Sequence, residues 1–264
     1  VQRHDLLARL HELVQPRTYF EIGVRKGRSL TLSRVPSVGV DPFFVLTHEL
    51  HCDVHLVRTT SDEFFARRHP FAHFPEQVVD LAFIDGMHLA EFALRDLINT
   101  ERHCHPASVI VIDDMLPRSV VEAGRGRVGS ADGGAWAGDV YKIIDVLHEH
   151  RPDLVVVELD TLPTGTVVVL LPDPSDTSLA AAYDHVVGDL VTPDPQDVPE
   201  RVLTRSGAMD PATFVALPIW GELRAARRHR PAEARRRVRD ACAASGLLQP
   251  PAQLSGQAPA AVAR

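Results

Sequence analysis

The stretch TYFEIGVRKGRS, residues 18–29, decides the fold. Its first half is a mostly apolar run of strand length, and Gly23 and Gly27 then bracket a tight turn. Helix signals resume at Ser29, so the segment reads as the opening of a β–α unit. Working outward, the spacing of Leu6, Leu7, Leu10, Leu13 and Val14 predicts a helix over 1–15 that Pro16 ends. Downstream, SVGVD (37–41), VHLV (54–57), VVDLAFID (78–85) and ASVIVIDD (107–114) read as four further strands. A polar TTSDE opens a helix between the third and fourth, and LAEFALRDLINTERHC (89–104) is an amphipathic helix between the fourth and fifth. GDVYKIIDVLHEH (138–150) reads as a helix with Asp139 as its N-cap. LVVVELD (154–160) and TVVVLLP (166–172), joined by TLPTG, read as an antiparallel hairpin. The sum is an α/β chain with a doubly wound, mostly parallel seven-stranded sheet that ends in an antiparallel hairpin.

Three regions follow from this reading. Residues 1–172 form the ligand-binding domain, with 1–16 as an N-terminal helix and 116–138 as a lid-like loop. That loop carries six glycines within 124–138, and loops of this length commonly serve function. Residues 173–221 form an accessory segment, rich in proline and helical over 178–191. Residues 222–264 form a C-terminal extension: an Arg/Ala-rich helix and a Gln/Pro/Ala-rich tail over 249–264, which is predicted to be disordered.

Ligands of such sheets bind beyond the carboxyl ends of the strands. Glu21, Asp41, Asp85, Asp113 and Asp114 all fall there. The turn after the first strand is not a dinucleotide fingerprint, because Arg25 stands where the second glycine of G-x-G-x-x-G belongs. A looser glycine turn still lets the backbone approach a ligand. Ser29 and the helix N-terminus would offer hydrogen-bond donors, and Glu21 would lie near a cationic end of the ligand. Asp41, at the end of the second strand, is placed to hold the two hydroxyls of a ribose. Ser61, at the end of the third strand, can N-cap the next helix with Asp62 and Glu63 in its first turn.

Asp85, Asp113 and Asp114 would meet at the ends of the neighbouring fourth and fifth strands. Three like charges repel unless something neutralises them. A hard divalent cation with oxygen ligands, Mg2+ for example, is the natural candidate. It would lower the pKa of a bound hydroxyl. His88, three residues past Asp85, is a candidate general base. Asp96 reads as a solvated or helix-pairing charge. Arg125 and Arg127 in the glycine loop read as solvated rather than as contacts to an anionic acceptor.

The pattern E-I-G-x-x-x-G-x-S, followed by an acid at the end of the second strand, resembles motifs I and II of class I S-adenosylmethionine-dependent methyltransferases, which have a Rossmann-like sheet. That resemblance implies Glu21, Gly23, Gly27 and Ser29 around the methionine part of the donor, Asp41 on its ribose, and Ser61 or Asp62 towards its adenine. The runs DLAFIDGMHLAEFALRDL and VIVIDD, with the later GDVYK and PTG pieces, are similar to the metal-dependent small-molecule O-methyltransferases. They look most like the macrolide-sugar type and more distantly like the catechol type. There the likeness implies Mg2+ held by Asp85, Asp113 and Asp114, with His88 as base and Asp85 beside it in the catalytic group. It covers roughly residues 17–172.

The expected activity is therefore S-adenosylmethionine-dependent methyl transfer to a hydroxyl of a small metabolite. The competing readings are a nicotinamide-dependent oxidoreductase on a similar sheet and a non-catalytic scaffold of the same fold. Lys plus Arg is 28 against 35 for Asp plus Glu, a net charge of -7, which disfavours nucleic acid as a partner. The Arg-rich stretch 224–239 has no interleaved aromatics and reads as a solvated face or subunit contact. No apolar run is long enough to span a membrane. Cys52, Cys104 and Cys242 lack metal-site or disulfide spacing, which fits a cytoplasmic protein. Homo-oligomer formation stays open.

Overall fold

Residues 1–126 and 135–248 are described by the computed structural model. The strands are β1 (Tyr19–Ile22), β2 (Ser37–Val40), β3 (Val54–Val57), β4 (Val79–Ile84), β5 (Cys104–Asp113), β6 (Val155–Leu159) and β7 (Thr166–Leu170). They form one seven-stranded sheet in the order β3-β2-β1-β4-β5-β7-β6. The first five pair in parallel, and β7 runs antiparallel between β5 and β6. This is the predicted doubly wound sheet with its terminal hairpin.

The central strands are buried on both faces, as parallel strands covered by helices must be. Every residue of β1 and β4 is buried, whereas the edge strand β6 alternates buried with partly exposed positions. On one face lie α2 (Ser61–Phe65), α3 (Ala90–Glu101), α4 (Ile143–His150) and α5 (Ser178–Leu190). Phe20, Phe64, Phe71 and Phe74 pack edge-to-face or stacked beneath α2, the arrangement that ring quadrupoles favour. On the other face, α1 (Arg3–Val14) packs with α7 (Pro211–Val215), α8 (Ile219–Ala226) and α9 (Pro231–Ala244). The Arg-rich α9 lays Ala234, Val238 and Cys242 on the sheet. Its Arg235 meets Asp153 at 2.6 Å and the carbonyl of Leu171 at 2.9 Å. Arginines on this helix thus flank a buried apolar stripe. The short α6 (Glu200–Leu203) completes the helices. The predicted disordered tail, 249–264, and Arg127 lie outside the described residues.

Three local expectations are corrected. Helix signals after Ser29 yield only a single 3-10 turn, Leu30–Leu32. Serines compete there for the backbone: Ser33 and Ser37 bond each other at 2.8 Å, and Ser37 also donates to the carbonyl of Val35. Ser61 is not an N-cap; Thr60 is, with Glu63 closing a capping box. Asp139 caps no helix of its own. Its Oδ1 accepts the N–H of Ala90 at the start of α3 (2.9 Å), and its Oδ2 receives Arg125 (2.6 Å) and Lys142 (3.3 Å). Arg125, in the loop after β5, also pairs with Glu91, so this arginine is not a solvated charge.

Where β1 and β4 end, their backbones clasp. The N–H of Asp85 donates to Ile22 (2.9 Å) and that of Gly23 to Val40 (2.9 Å). Gly23 has φ +90°, and a Cβ there would overlap the Asp85 carbonyl. Gly23→Ala combines backbone strain with overpacking, each worth about 1–3 kcal/mol. Urea denaturation should show a loss of about 2–5 kcal/mol; a loss under about 1 kcal/mol would mean that the clasp relaxes freely.

Candidate active site

The carboxyl ends of β1, β2, β4 and β5 converge on one edge of the sheet. The glycine turn after β1 is bent at Gly23, Arg25 and Gly27, all with positive φ (+90°, +48° and +78°). Asp41, one residue beyond β2, faces this turn. Its Oδ2 accepts the N–H of Arg25 and its Oδ1 that of Phe43, each at 2.6 Å. The carboxylate is thereby fixed at the sheet edge with lone pairs left over. The following segment folds back on the turn: Val45 and Thr47 donate to the carbonyls of Arg25 and Lys26. The end of Leu46 lies 2.9 Å from where a Gly27 Cβ would stand.

Glu21 is not at the surface of this cleft. It is fully buried, and its two oxygens accept hydrogen bonds from Tyr19 (2.6 Å) and Ser29 (2.8 Å). Burial pushes its carboxyl up to about 8, against the pull of those two hydroxyls. Glu21 and Ser29 therefore brace the turn from beneath. The sequence pattern set them beside the glycines but could not show which side of the backbone they occupy. Ser61 and Asp62 open α2, and both are engaged. Asp62 meets Arg95 at 2.6 Å, and Ser61 bonds Asp96. Asp96 is itself buried, with burial raising it to about 7; of the two readings, solvated or helix-pairing, burial excludes the first, and its bond to Ser61 links α3 to α2. It lies behind Gly86, at 3.3 Å from where a Cβ of that residue would stand.

The acidic group is built as the strand ends require. Asp113 and Asp114 close β5, both 3% exposed, and Asp114 holds φ +62°. Asp85 follows β4, and His88 follows on the turn into α3. His88 Nε2 is 3.1 Å from Asp114 Oδ2 and 3.5 Å from Asp85 Oδ1. Its Nδ1 lies 2.8 Å from the carbonyl of Trp136, whose ring stacks on the imidazole at 4.6 Å. A carbonyl only accepts, so Nδ1 carries a proton. Gly138, with φ +66°, lets this chain pass against the backbone of His88, where a Cβ would overlap. Thr164, in the β6–β7 turn, donates to Asp114 Oδ1.

Sequence reasoning missed a further member of the group. Arg3, in the first turn of α1, pairs with Asp113 and lies 3.8 Å from Asp85 and 3.9 Å from Asp114. The hydrophobic spacing of α1 marked its core face but gave no sign of where its polar end would reach. His4 beside it is held down at about 4 by burial and by Arg3 and Arg28. Charge balance sets the remaining protonation. Burial opposes a charged His88, yet Asp85 and Asp114 outweigh it and raise its pKa. Burial and neighbouring carboxylates raise Asp113 well above the usual carboxylate range, and burial raises Asp114 to about 6.

Two observations bear on a cation. Asp113 Oδ1 is buried yet accepts no hydrogen bond among the described residues, and buried Asp114 Oδ2 faces His88 Nε2 at 3.1 Å. One ligand atom each of Asp85, His88 and Asp114 lies within 4.8 Å of the others. These side chains, with Asp113, line a cavity of about 10 Å³, about the room that one water occupies. A small hard cation fits both the volume and the oxygen donors. Asp113, expected as a full ligand, is the one turned to Arg3.

Residues 20–115 match the family described as a methyltransferase domain. Over this stretch the chain is similar to a methyltransferase domain. The matched span runs from β1 to just past the acid pair of β5, so it includes the glycine turn, Asp41, Asp85, His88, Asp113 and Asp114. No curated protein sequence matches. Among solved structures, an O-methyltransferase from Bacillus cereus in complex with SAH is 14% identical, with a TM-score of 0.45, covering 64% of this chain and 80% of that one. A Klebsiella pneumoniae structure described as an O-methyltransferase is 17% identical, with a TM-score of 0.46, covering 65% and 80%. The mycinamycin-pathway methyltransferase MycE, solved with Mg and SAH, is 20% identical, with a TM-score of 0.41, covering 64% and 48%.

The protonation of Glu21 has a measurable consequence. A carboxyl whose pKa rises from 4.5 unfolded to about 8 folded keeps its proton in the fold where the unfolded chain loses it. Its contribution is present below the unfolded value and fades as pH climbs towards the folded one. Between about pH 5 and pH 8, Glu21→Gln should lose less stability than the wild type in urea melts. Parallel pH slopes for the two proteins would place Glu21 in solvent.

Proposed function

We propose that this chain transfers the methyl group of S-adenosylmethionine to a hydroxyl of a small metabolite, with a divalent cation, Mg2+ first, at the acid group. The observation that carries this is the joining of the two halves of the site through one residue. Asp85 touches the glycine turn with its backbone and His88 with its side chain. A donor over the turn and a hydroxyl at the acids would therefore lie side by side.

The donor supplies an electrophilic methyl group on a sulfonium. Asp41 is suited to the donor's ribose, since its carboxylate is already oriented by two backbone N–H groups. Gly23 and Gly27 keep the backbone low enough for close approach, and Leu46 is the flexible side chain that must yield beside Gly27. Glu21 and Ser29 hold the turn in shape, and Asp96 with Ser61 backs the adenine end. Asp85 and Asp114, with Asp113, would hold the cation, which would lower the proton affinity of an acceptor hydroxyl and of the imidazole beside it. His88 is positioned by Trp136 so that Nε2 faces the acids, where it would take the acceptor's proton. The imidazole must be neutral to do so, and its raised pKa means that activity rises with pH as that proton leaves. Positioning supplies most of the remaining acceleration.

No helix among the described residues is long and apolar enough to cross a membrane. Cys52, Cys104 and Cys242 are all free, which supports a reducing, cytoplasmic setting.

The test is release of S-adenosylhomocysteine from S-adenosylmethionine across a panel of hydroxylated acceptors, sugars and phenols first. His88→Gln should lower turnover by about 10²–10⁴-fold while donor affinity, measured calorimetrically, stays within about threefold. Asp41→Ala should weaken donor binding by about tenfold or more, the loss of a charge-assisted pair. Full turnover in His88→Gln would remove the base, and undiminished donor binding in Asp41→Ala would move the donor elsewhere.

A further inference from the structure

We propose that Arg3 is a built-in cation that competes with the divalent ion for the acid group and so sets the affinity of the site. This rests on the reading of Asp85, Asp113 and Asp114 as a cation site. Three carboxylates meet at the edge of the sheet, and the chain itself already delivers a positive charge to all three: Arg3 pairs with Asp113 and stands within 4 Å of Asp85 and Asp114.

Arg3 is held in place by more than its charge. Its backbone N–H donates to the carbonyl of Leu162 (3.1 Å), and the N–H of Leu162 donates back to Val1 (2.9 Å). The same β6–β7 turn carries Thr164, which donates to Asp114. One turn therefore anchors both the arginine and one of the carboxylates it faces. The guanidinium is partly buried, and a guanidinium stays charged at any working pH. It cannot be discharged to make way; a cation entering the group must share it with Arg3 or push its head group aside.

Charge bookkeeping shows the consequence. Asp85, Asp113 and Asp114 bring three negative charges when deprotonated; Arg3 cancels one permanently, and His88 cancels another only while it is protonated. A divalent ion arriving beside Arg3 meets repulsion from a unit charge a few ångströms away. At the effective dielectric of a partly buried site, removing that charge strengthens divalent binding by at least about tenfold. Asp113, freed of its partner, becomes available as a further oxygen ligand. A purely structural arginine gives the opposite sign. If Arg3 merely orients Asp113 for the ion, its loss weakens binding.

The experiment is Mn2+ binding to the full chain, followed by electron paramagnetic resonance and calorimetry and independent of turnover. Arg3→Gln should bind Mn2+ at least about tenfold more tightly than the wild type, and Arg3→Lys should stay within about threefold of it. Arg3→Met keeps the apolar stem and should behave as Arg3→Gln, guarding against a folding defect in the latter. The melting temperature of both neutral variants should fall without metal and recover with Mn2+ by more than the wild type gains. Equal or weaker Mn2+ binding in both neutral variants overturns the competition while leaving the cation site standing. Absence of Mn2+ binding in the wild type and both neutral variants overturns the cation site itself, and the competition with it.

Discussion

The structure turns on the packing of like charge at the end of β5. Asp113 and Asp114 are consecutive, almost wholly buried, and joined by Asp85 from the neighbouring strand. Burying carboxylates together is costly unless positive charge, protons or hydrogen bonds offset the repulsion. The chain recruits distant elements to do this. Arg3 comes from the first turn of α1, His88 from the turn before α3, and Thr164 from the β6–β7 turn. The two helices are held to the sheet by apolar contacts and the β6–β7 turn by backbone hydrogen bonds to Met115 and Leu116, so the balance of charge at the edge depends on the whole fold being in place.

That dependence explains the division of labour among the glycines. Gly23 lets the glycine turn after β1 rest on the backbone of Asp85, and Gly138 lets the returning chain rest on that of His88. Both contacts are backbone to backbone, and neither leaves room for a side chain. The two halves of the site are thereby coupled mechanically. A shift in the glycine turn therefore moves Asp85, which also faces His88.

The sheet was legible in the sequence because parallel strands buried on both faces leave continuous apolar runs, as in VDLAFI and SVIVID. The acids at strand ends were legible for a related reason: a charge directly after such a run has only the sheet edge to occupy. Sidedness and long-range pairing were not. Glu21 sits in the motif expected of a ligand contact, yet the alternation of a four-residue strand turns it inward to Tyr19 and Ser29. Asp139 looked like a cap because local sequence shows only its own helix, whereas its partners are Ala90 and Arg125. Arg3 lies 110 residues from Asp113, and nothing in its helical periodicity points there. The unbalanced charge that pointed to a metal is offset in part by Arg3, from the first turn of α1.

The most direct test is a crystal structure grown with S-adenosylhomocysteine. The ligand should lie across the turn between Gly23 and Gly27 with its ribose hydroxyls on Asp41, Leu46 displaced, and its sulfur towards His88. Density for the nucleoside at another edge of the sheet, with the 42–50 segment still seated on the glycine turn, would contradict the assignment.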